Sequence, residues 1–259
     1  MPPAPESTLA IPGATYRLQF TPRFTFAHAL ALVPYLDTLG ISHVYASSFL
    51  KARPGSEHGY DITDHNALNP EIGDWDDFVR FTDALRRHGM GLILDFVPNH
   101  MGIGKADNAW WLDVLEWGRQ SPYSEYFDID WAPTKPELRD KLLLPLLGDH
   151  YGAALGKGEL VLKFDGGEGS FSVWYHEHRL PLRPRSYAAV IRRQLAENNS
   201  AAALRPEERV IFERLADEFD RIRRTARRRR EEARRRCAAL KAELAALCCS
   251  SPEAVRFIA

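Results

Sequence analysis

The first hundred residues constrain the fold most, because apolar side chains there switch in strict order between a period of two and helical spacing. Thr15 to Phe20 (TYRLQF) alternates apolar and polar residues of β-favouring type after the Pro12-Gly13 turn, which predicts a strand. From Phe24 to Leu39 the residues Phe26, Leu30, Val33, Leu36 and Leu39 recur at helical spacing, and Gly40 stands where a helix C-cap belongs. Pro34 inside that run lacks a backbone donor and is expected to kink the helix. Ile41 to Ala46 predicts a second strand, followed by a Gly- and Pro-bearing loop through Gly73. Asp74 is an expected N-cap for a helix from Trp75 to His88, in which Phe78, Phe81 and Leu85 form one apolar face. After Gly89, the run Gly91 to Val97 (GLILDFV) has the composition of a strand covered on both faces. Strand, helix, strand, helix, strand is the rhythm of a parallel α/β sheet or barrel.

A (β/α)8 barrel needs eight such units, and 259 residues would hold them, yet only three strands are countable, the last ending near Val97. Residues 105–180 instead hold aromatic-rich segments (AWWLDVLEWG, SEYFDIDW), a hairpin candidate around Asp165-Gly166-Gly167 and the strand-like Phe171 to Tyr175. Pro206 to Leu247 is rich in Arg, Ala and Glu and predicts one or two long helices. Two architectures fit this content: a smaller α/β fold with an appended helical domain, or the front part of a larger barrel with a long insertion after strand three. The expected division on the second reading is 1–104 for three β/α units and 105–259 for a mixed, largely helical insertion, with an Arg-rich helical segment over 206–249.

Hydrophobic residues at 45% and charged residues at 27% exclude a disordered or fibrous chain. The formal net charge of −1 implies no overall attraction to nucleic acid or membrane. That balance conceals an asymmetry, because Arg221 to Lys241 holds eleven basic residues against Glu231 and Glu232. Arg227–Arg230 and Arg234–Arg236 fit a phosphate-tracking stripe, a solvated helix face, or a face packed on acidic surface of the same protein. No interleaved aromatics or binding motif accompany them, so no nucleic-acid partner is expected. The start MPPAPESTLAIPG has no basic n-region or long apolar h-region, and no run reaches the length of a membrane span, so no membrane partner is expected. Cys237, Cys248 and Cys249 have neither metal-site nor disulfide-framework spacing, which makes a reducing cytoplasm the expected location. No metal or organic cofactor is indicated.

In α/β folds, sites form at the carboxyl ends of strands. The second strand leads to His58-Gly59-Tyr60-Asp61 and the third to Asp95-Phe96-Val97-Pro98-Asn99-His100. Tyr60 offers a flat face for a sugar or a base, or equally a packing aromatic with a satisfied hydroxyl. Asp61 suits an arginine partner or a turn that bonds its own backbone. Asp95 follows Leu92-Ile93-Leu94, and a carboxylate at the end of a buried strand needs a partner, whether in a structural ion pair or in a site. His100 fits a surface histidine, a ligand to substrate hydroxyls or an acid/base, and no HxxxH or HExxH spacing marks it as a metal ligand. Two carboxylates in facing loops invite a glycosidase reading, and Trp75, Trp110, Trp111, Trp117, Trp131 and Trp174 would serve as sugar platforms or core.

Thr15-Tyr16-Arg17-Leu18-Gln19-Phe20, Val33-Pro34-Tyr35-Leu36, Leu39 through Ser47, Ala52-Arg53-Pro54-Gly55-Ser56 with His58-Gly59-Tyr60-Asp61, and Asp95 through Met101 together resemble the maltooligosyl trehalose synthase family, within the α-amylase clan of glycoside hydrolases. The resemblance is continuous over roughly residues 10–104 and weaker to about residue 190. Ser48 stands where that family has proline, and Glu57 where it has a small hydroxyl residue. The resemblance implies the amino-terminal part of a (β/α)8 barrel. It also implies an intramolecular transglucosylation that turns the reducing-end α-1,4 bond of a maltooligosaccharide into an α,α-1,1 bond. Tyr60 would stack on the sugar, Asp61 would orient an arginine, Asp95 would support the site, His100 would bond a sugar hydroxyl, and Asn99 would bind substrate or support the site. The implied partners are an α-1,4-glucan substrate and a companion trehalose-releasing hydrolase. The clan's nucleophile, an Asp in an Arg-x-Asp strand, and its acid, a Glu, match nothing in this sequence and are expected beyond Ala259. The alternatives are an α-glucan hydrolase of the same clan and a non-catalytic glucan-binding remnant.

Overall fold

The computed structural model describes residues 11–197, 204–222 and 230–258. The start of the chain through Ala10 and the basic residues Arg223, Arg224 and Arg227 to Arg229 lie outside the described residues. The chain divides into two compact units, Met1–Asn108 and Ala109–Ala259.

The first unit is built on three parallel strands in the order β1 (Thr15–Leu18), β2 (His43–Ala46), β5 (Gly91–Leu94). Their register aligns Arg17 with Tyr45 and Tyr45 with Ile93, and Leu18 with Ala46 and Ala46 with Leu94. Because side chains alternate along a strand, Leu18, Val44, Ala46 and Leu92 share one face and Arg17, Tyr45 and Ile93 share the other. Helices α1 (Phe26–Thr38) and α2 (Trp75–Arg87) contribute to the core that Leu18, Val44, Ala46 and Leu92 join. That core is crowded with rings: Phe26 lies 5.3 Å from Phe20 and 5.4 Å from Phe49, and Phe20 packs edge-on at 6.1 Å from Phe81. Tilted and edge-to-face pairs of this kind add to the apolar area they bury.

Helix α1 runs through Pro34, which sits on its exposed side. The expected apolar stripe is realised at Phe26, Leu30, Val33 and Leu36, whereas Leu39 is the C-cap residue and is exposed. Asp74 caps α2 by accepting the backbone N–H of Asp77 at 2.8 Å, and Gly89 turns the chain away with φ +67°. The expected loop through Gly73 contains an antiparallel pair, β3 (Leu50–Ala52) and β4 (Ile62–Leu68), with two irregularities in its register. The run Gly91 to Val97 departs from the expected strand covered on both faces: β5 ends at Leu94, which is 38% exposed, and Phe96 beyond it is also exposed. The reason is that β5 is an edge strand here, and the aromatic core covers only one face of the sheet.

The second unit joins an antiparallel sheet of β6 (Leu160–Asp165), β7 (Ser170–Tyr175) and β8 (His178–Pro181) to helices. These are α3 (Ala109–Trp117), α4 (Tyr151–Gly156), α5 (Ser186–Glu197), α6 (Pro206–Asp220), α7 (Arg230–Ser250) and α8 (Pro252–Ile258). The expected hairpin forms between β6 and β7, where the Asp165 carboxylate accepts the N–H groups of Gly167 and Glu168 at 2.9 Å. Gly169 is the residue the turn requires, since it holds φ +60° and a Cβ there would collide with the Lys241 carbonyl oxygen. Phe171, Tyr187, Ile191, Phe212, Phe219, Leu244 and Phe257 are central to this unit's core.

The basic side chains of α7 are largely spent inside their own unit. Arg234 forks onto Asp113 and lies 5.1 Å over the Trp117 ring, while Lys241 pairs with Glu116. Arg236 reaches Glu218 at 3.5 Å, and Arg214 of α6 joins Glu218 to Glu243. Of the six basic residues described in the Arg-rich stretch, Arg234, Arg236 and Lys241 thus face acidic residues of the same protein. Several tryptophans read as sugar platforms are likewise engaged: Trp110 stacks on Tyr123 at 4.9 Å, Trp174 lies under Lys163 at 5.0 Å, and Trp111 is buried. Cys237 and Cys248 are buried free thiols whose pKa values burial pushes to about 12 and about 11. No helix among the described residues is long and apolar enough to cross a membrane.

Ser48 is buried and its hydroxyl has no hydrogen-bond partner among the described residues, so Ser48→Ala is expected to raise stability by about 1 kcal/mol in urea unfolding. A loss of stability would mean that the hydroxyl is satisfied in solution. Glu208, only 1% exposed, accepts from the Arg205 guanidinium and backbone N–H at 2.9 Å each. These bonds, the guanidinium's foremost and one with Ser251 next, hold its carboxyl down to about 2 from 4.5. The contribution of this carboxylate to stability is therefore fully present above the ordinary carboxylate range and is lost as pH falls from there towards 2. Glu208→Gln is expected to cost about 2 kcal/mol at pH 7 and to flatten acid unfolding in that window, which denaturant melts at a series of pH values would read.

Candidate functional site

The carboxyl end of the parallel sheet collects the polar residues of the first unit. Arg17 on β1 and Tyr45 on β2 are aligned partners, and the guanidinium lies 5.0 Å over the Tyr45 ring. From there Arg17 donates to Asp95, the residue after β5, at 3.2 Å and to the Tyr60 hydroxyl at 2.6 Å. Tyr60 closes the triangle, donating its own proton to the same Asp95 oxygen at 2.6 Å. Gln19 is the fourth member: its side-chain carbonyl accepts from Arg17 at 3.2 Å and its amide donates to the His58 carbonyl at 3.2 Å.

The loop between β3 and β4 carries Tyr60, and its shape follows from glycine. Gly59 holds φ +77°, and a Cβ there would stand 2.8 Å from the Ser48 carbonyl oxygen, so no other residue fits the turn without displacing backbone. The backbone N–H of Tyr60 then reaches the His58 ring nitrogen at 3.0 Å, and the two rings lie parallel within 9° at 6.1 Å. His100 meets the Tyr60 carbonyl through Nε2 at 3.0 Å, which places a proton on Nε2, and its Nδ1 faces the Asn99 side chain at 3.1 Å.

The electrostatics of the triangle are mutually consistent. Hydrogen bonding from Tyr60, reinforced by Tyr45 and Arg17, holds the Asp95 carboxyl below its ordinary value against the opposing cost of burial. Burial first, and donation to Asp95 second, push the Tyr60 phenol up, while Arg17 opposes that shift. The hydrogen bond to Tyr60 heads the causes that raise the Arg17 guanidinium. At neutral pH the network therefore holds a cation, an anion and a neutral phenol between them. Its parts are unequally open, the Arg17 side chain being 42% and the Asp95 side chain 20% exposed.

Of the residues singled out from sequence, Tyr60 and Asp95 are bonded directly, His100 joins them through the Tyr60 backbone, and Asn99 joins through His100. Asp61 stands apart from this network. Its carboxylate accepts from the Ser56 hydroxyl at 2.5 Å and its carbonyl from the Arg53 N–H at 3.2 Å, so it stitches the loop, while the Arg53 side chain faces Asp107 at 3.7 Å. Sequence reasoning missed Arg17, Gln19 and Tyr45. The signal was present in the alternation of TYRLQF, which puts Arg17 and Gln19 opposite the buried Leu18 and Phe20.

Residues 31–153 match the family model described as the α-amylase catalytic domain. A Mycobacterium tuberculosis protein that carries the name maltooligosyl trehalose synthase is 42% identical over 217 residues, 77% of this chain and 28% of that protein. The solved structure of maltooligosyltrehalose synthase from Arthrobacter ramosus is similar at a TM-score of 0.57 and 38% identity, covering 66% of this chain and 21% of that one. Neopullulanase 2 of Thermoactinomyces vulgaris is 38% identical over 108 residues, 41% of this chain and 17% of that protein. The chain thus spans less than a third of the length of each of these relatives. Aligned over 77% of its residues at 42% identity, and carrying the α-amylase domain match, the chain belongs to the maltooligosyl trehalose synthase family of the α-amylase clan.

Proposed function

We propose that this chain supplies one wall of the glucan site of a trehalose-forming transglucosylase. The observation that carries the reading is the hydrogen bond of Tyr60 to Asp95, which joins the β3–β4 loop to the carboxyl end of β5 on the sheet face away from the aromatic core. On this reading β1, β2 and β5 are the first three strands of a (β/α)8 barrel, and the segment from residue 105 onwards is an insertion after the third. Tyr60 presents its ring to a sugar, and Asp95 and Arg17 hold the hydroxyl end of that ring. The exposed side chains of Asn99 and His100 hydrogen-bond sugar hydroxyls. Asp61 contributes by holding the shape of the loop that carries Tyr60.

The reaction breaks the α-1,4 bond at the reducing end of a maltooligosaccharide. A carboxylate nucleophile takes the anomeric carbon of the penultimate glucose while a general acid protonates the departing O4. The released glucose stays bound, turns, and attacks that carbon through its own C1 hydroxyl, so an α,α-1,1 bond forms with net retention and no water consumed. Exclusion of water decides between this outcome and hydrolysis. No residue of this chain is assigned as the nucleophile or the acid, and the product is a substrate for a companion hydrolase that releases trehalose.

The complete gene product incubated with maltopentaose is expected to remove reducing power without releasing glucose. Steady release of glucose or maltose would make it an α-glucan hydrolase, and no change in the sugar with retained binding would make it a glucan-binding protein. Asp95→Asn and Tyr60→Ala are each expected to lower turnover by at least 100-fold while the protein remains folded by circular dichroism, since each removes a partner that orients the other. Near-normal turnover in either variant would remove that residue from the site.

A further inference from the structure

We propose that Arg17 is a positioning residue of the glucan site, fixing the plane of the Tyr60 ring by bridging its hydroxyl to Asp95. The inference rests on the reading of Tyr60 as the sugar-facing ring, and it concerns a residue to which neither the loop motifs nor the match to the family gives a role.

The argument starts from what holds Tyr60. Its backbone follows Gly59, whose left-handed conformation lets the loop turn, and the loop's strands β3 and β4 pair with irregular register. Regular structure therefore does not orient this ring. At its backbone end the peptide is tied to His58 and His100, and at its far end the hydroxyl meets Asp95 and Arg17. The phenol oxygen lies on the ring's long axis, so a bond there restrains the ring plane through the preference of the hydroxyl's donor and acceptor directions for that plane. A donated bond to Asp95 and an accepted bond from Arg17 together hold the plane more firmly than either alone.

Arg17 is suited to be the second anchor because its own position is over-determined. The parallel register against Tyr45 fixes its backbone, the Tyr45 ring supports the guanidinium plane, and Gln19 receives a further N–H. The two terminal nitrogens then point to two different acceptors, Nη1 to Asp95 and Nη2 to Tyr60. A planar fork spans two such oxygens at once, and an ammonium, a point charge on a flexible stem, does not reproduce that geometry.

The test uses the complete gene product with 13C-labelled tyrosine rings, the Tyr60 signal being assigned by its loss in Tyr60→Phe, read at neutral pH by NMR alone and with maltoheptaose. Arg17→Gln is expected to broaden or average the Tyr60 ring signals, to leave the unfolding midpoint nearly unchanged because Arg17 lies on an exposed face, and to weaken maltoheptaose binding about tenfold. Arg17→Lys is expected to fall between the two, keeping the charge and losing the bridge. An unchanged Tyr60 ring in Arg17→Gln overturns the inference whatever the sugar does, as does a ring change accompanied by equal maltoheptaose affinity. If maltoheptaose moves no tyrosine signal in the parent chain while the ring of Arg17→Gln is loosened, the positioning role stands and the glucan reading fails. Should Arg17→Gln not fold, the ring signals of Arg17→Lys decide the same question.

Discussion

The alternation of side chains along β1, β2 and β5 is the constraint on which the first unit depends. In a parallel sheet a shift of one residue would exchange the two faces wholesale, so register and burial enforce one another. With Leu18 aligned to Ala46, the apolar face meets the rings of Phe20, Phe26, Phe49 and Phe81. The same alignment sets Arg17 beside Tyr45 and Ile93 on the opposite face, pointing along the strands towards Asp95. A slip of the register would bury a guanidinium without a partner among phenylalanines, which costs far more than the slip could return. The hydrophobic core therefore holds the polar network in place without touching it.

The second unit uses charge differently. Its long basic helix would repel itself if left alone, and Arg234, Arg236 and Lys241 instead meet acids on α3 and α6. Exposed pairs of this sort contribute little singly, whereas Arg234 with Asp113 and Lys241 with Glu116 are partly buried, and removing one partner would leave an uncompensated charge. The Lys241 ammonium also lies 5.8 Å over the ring of Tyr187, whose phenol burial pushes to about 12 and which accepts the Phe171 N–H at 3.0 Å. Among the described residues of the basic stretch, Arg234, Arg236 and Lys241 are in this way matched within one unit.

Features set by nearby residues were legible in the sequence, and features set by distant pairing were not. Helix α2 begins and ends within a residue of its expected limits because Asp74 and Gly89 are local signals. The β3–β4 pair was unreadable because Ile62–Leu68 carries Asp64, His65 and Asn66 in mid-strand, and its partner is only three residues long. Strand β8 hides for a related reason: it ends in Pro181, which only an edge strand tolerates. In the site, Tyr60 and Asp95 announced themselves as polar residues at strand ends. Arg17 did not, since its meaning depends on a partner 43 positions away, and Asp61 looked like a charge partner while its nearest donor was Ser56, five residues back.

The net charge of the triangle bears on what it is built to meet. Arg17 and Asp95 cancel, and the phenol between them stays protonated because burial and the neighbouring carboxylate both oppose its ionisation. A site with a surplus cation would select phosphates or carboxylates, and one with a surplus anion would select metals or amines. A neutral array of fixed donors and acceptors beside an aromatic face suits an uncharged polyol, whose hydroxyls both donate and accept and whose ring carbons present an apolar surface. The same array supplies no group poised to exchange protons near neutrality, because the carboxyl is pulled down, the phenol is pushed up and the guanidinium is raised further. Its chemistry is that of a fixed, neutral set of donors and acceptors, which on the proposed reading would hold a sugar in one orientation before the reacting groups engage.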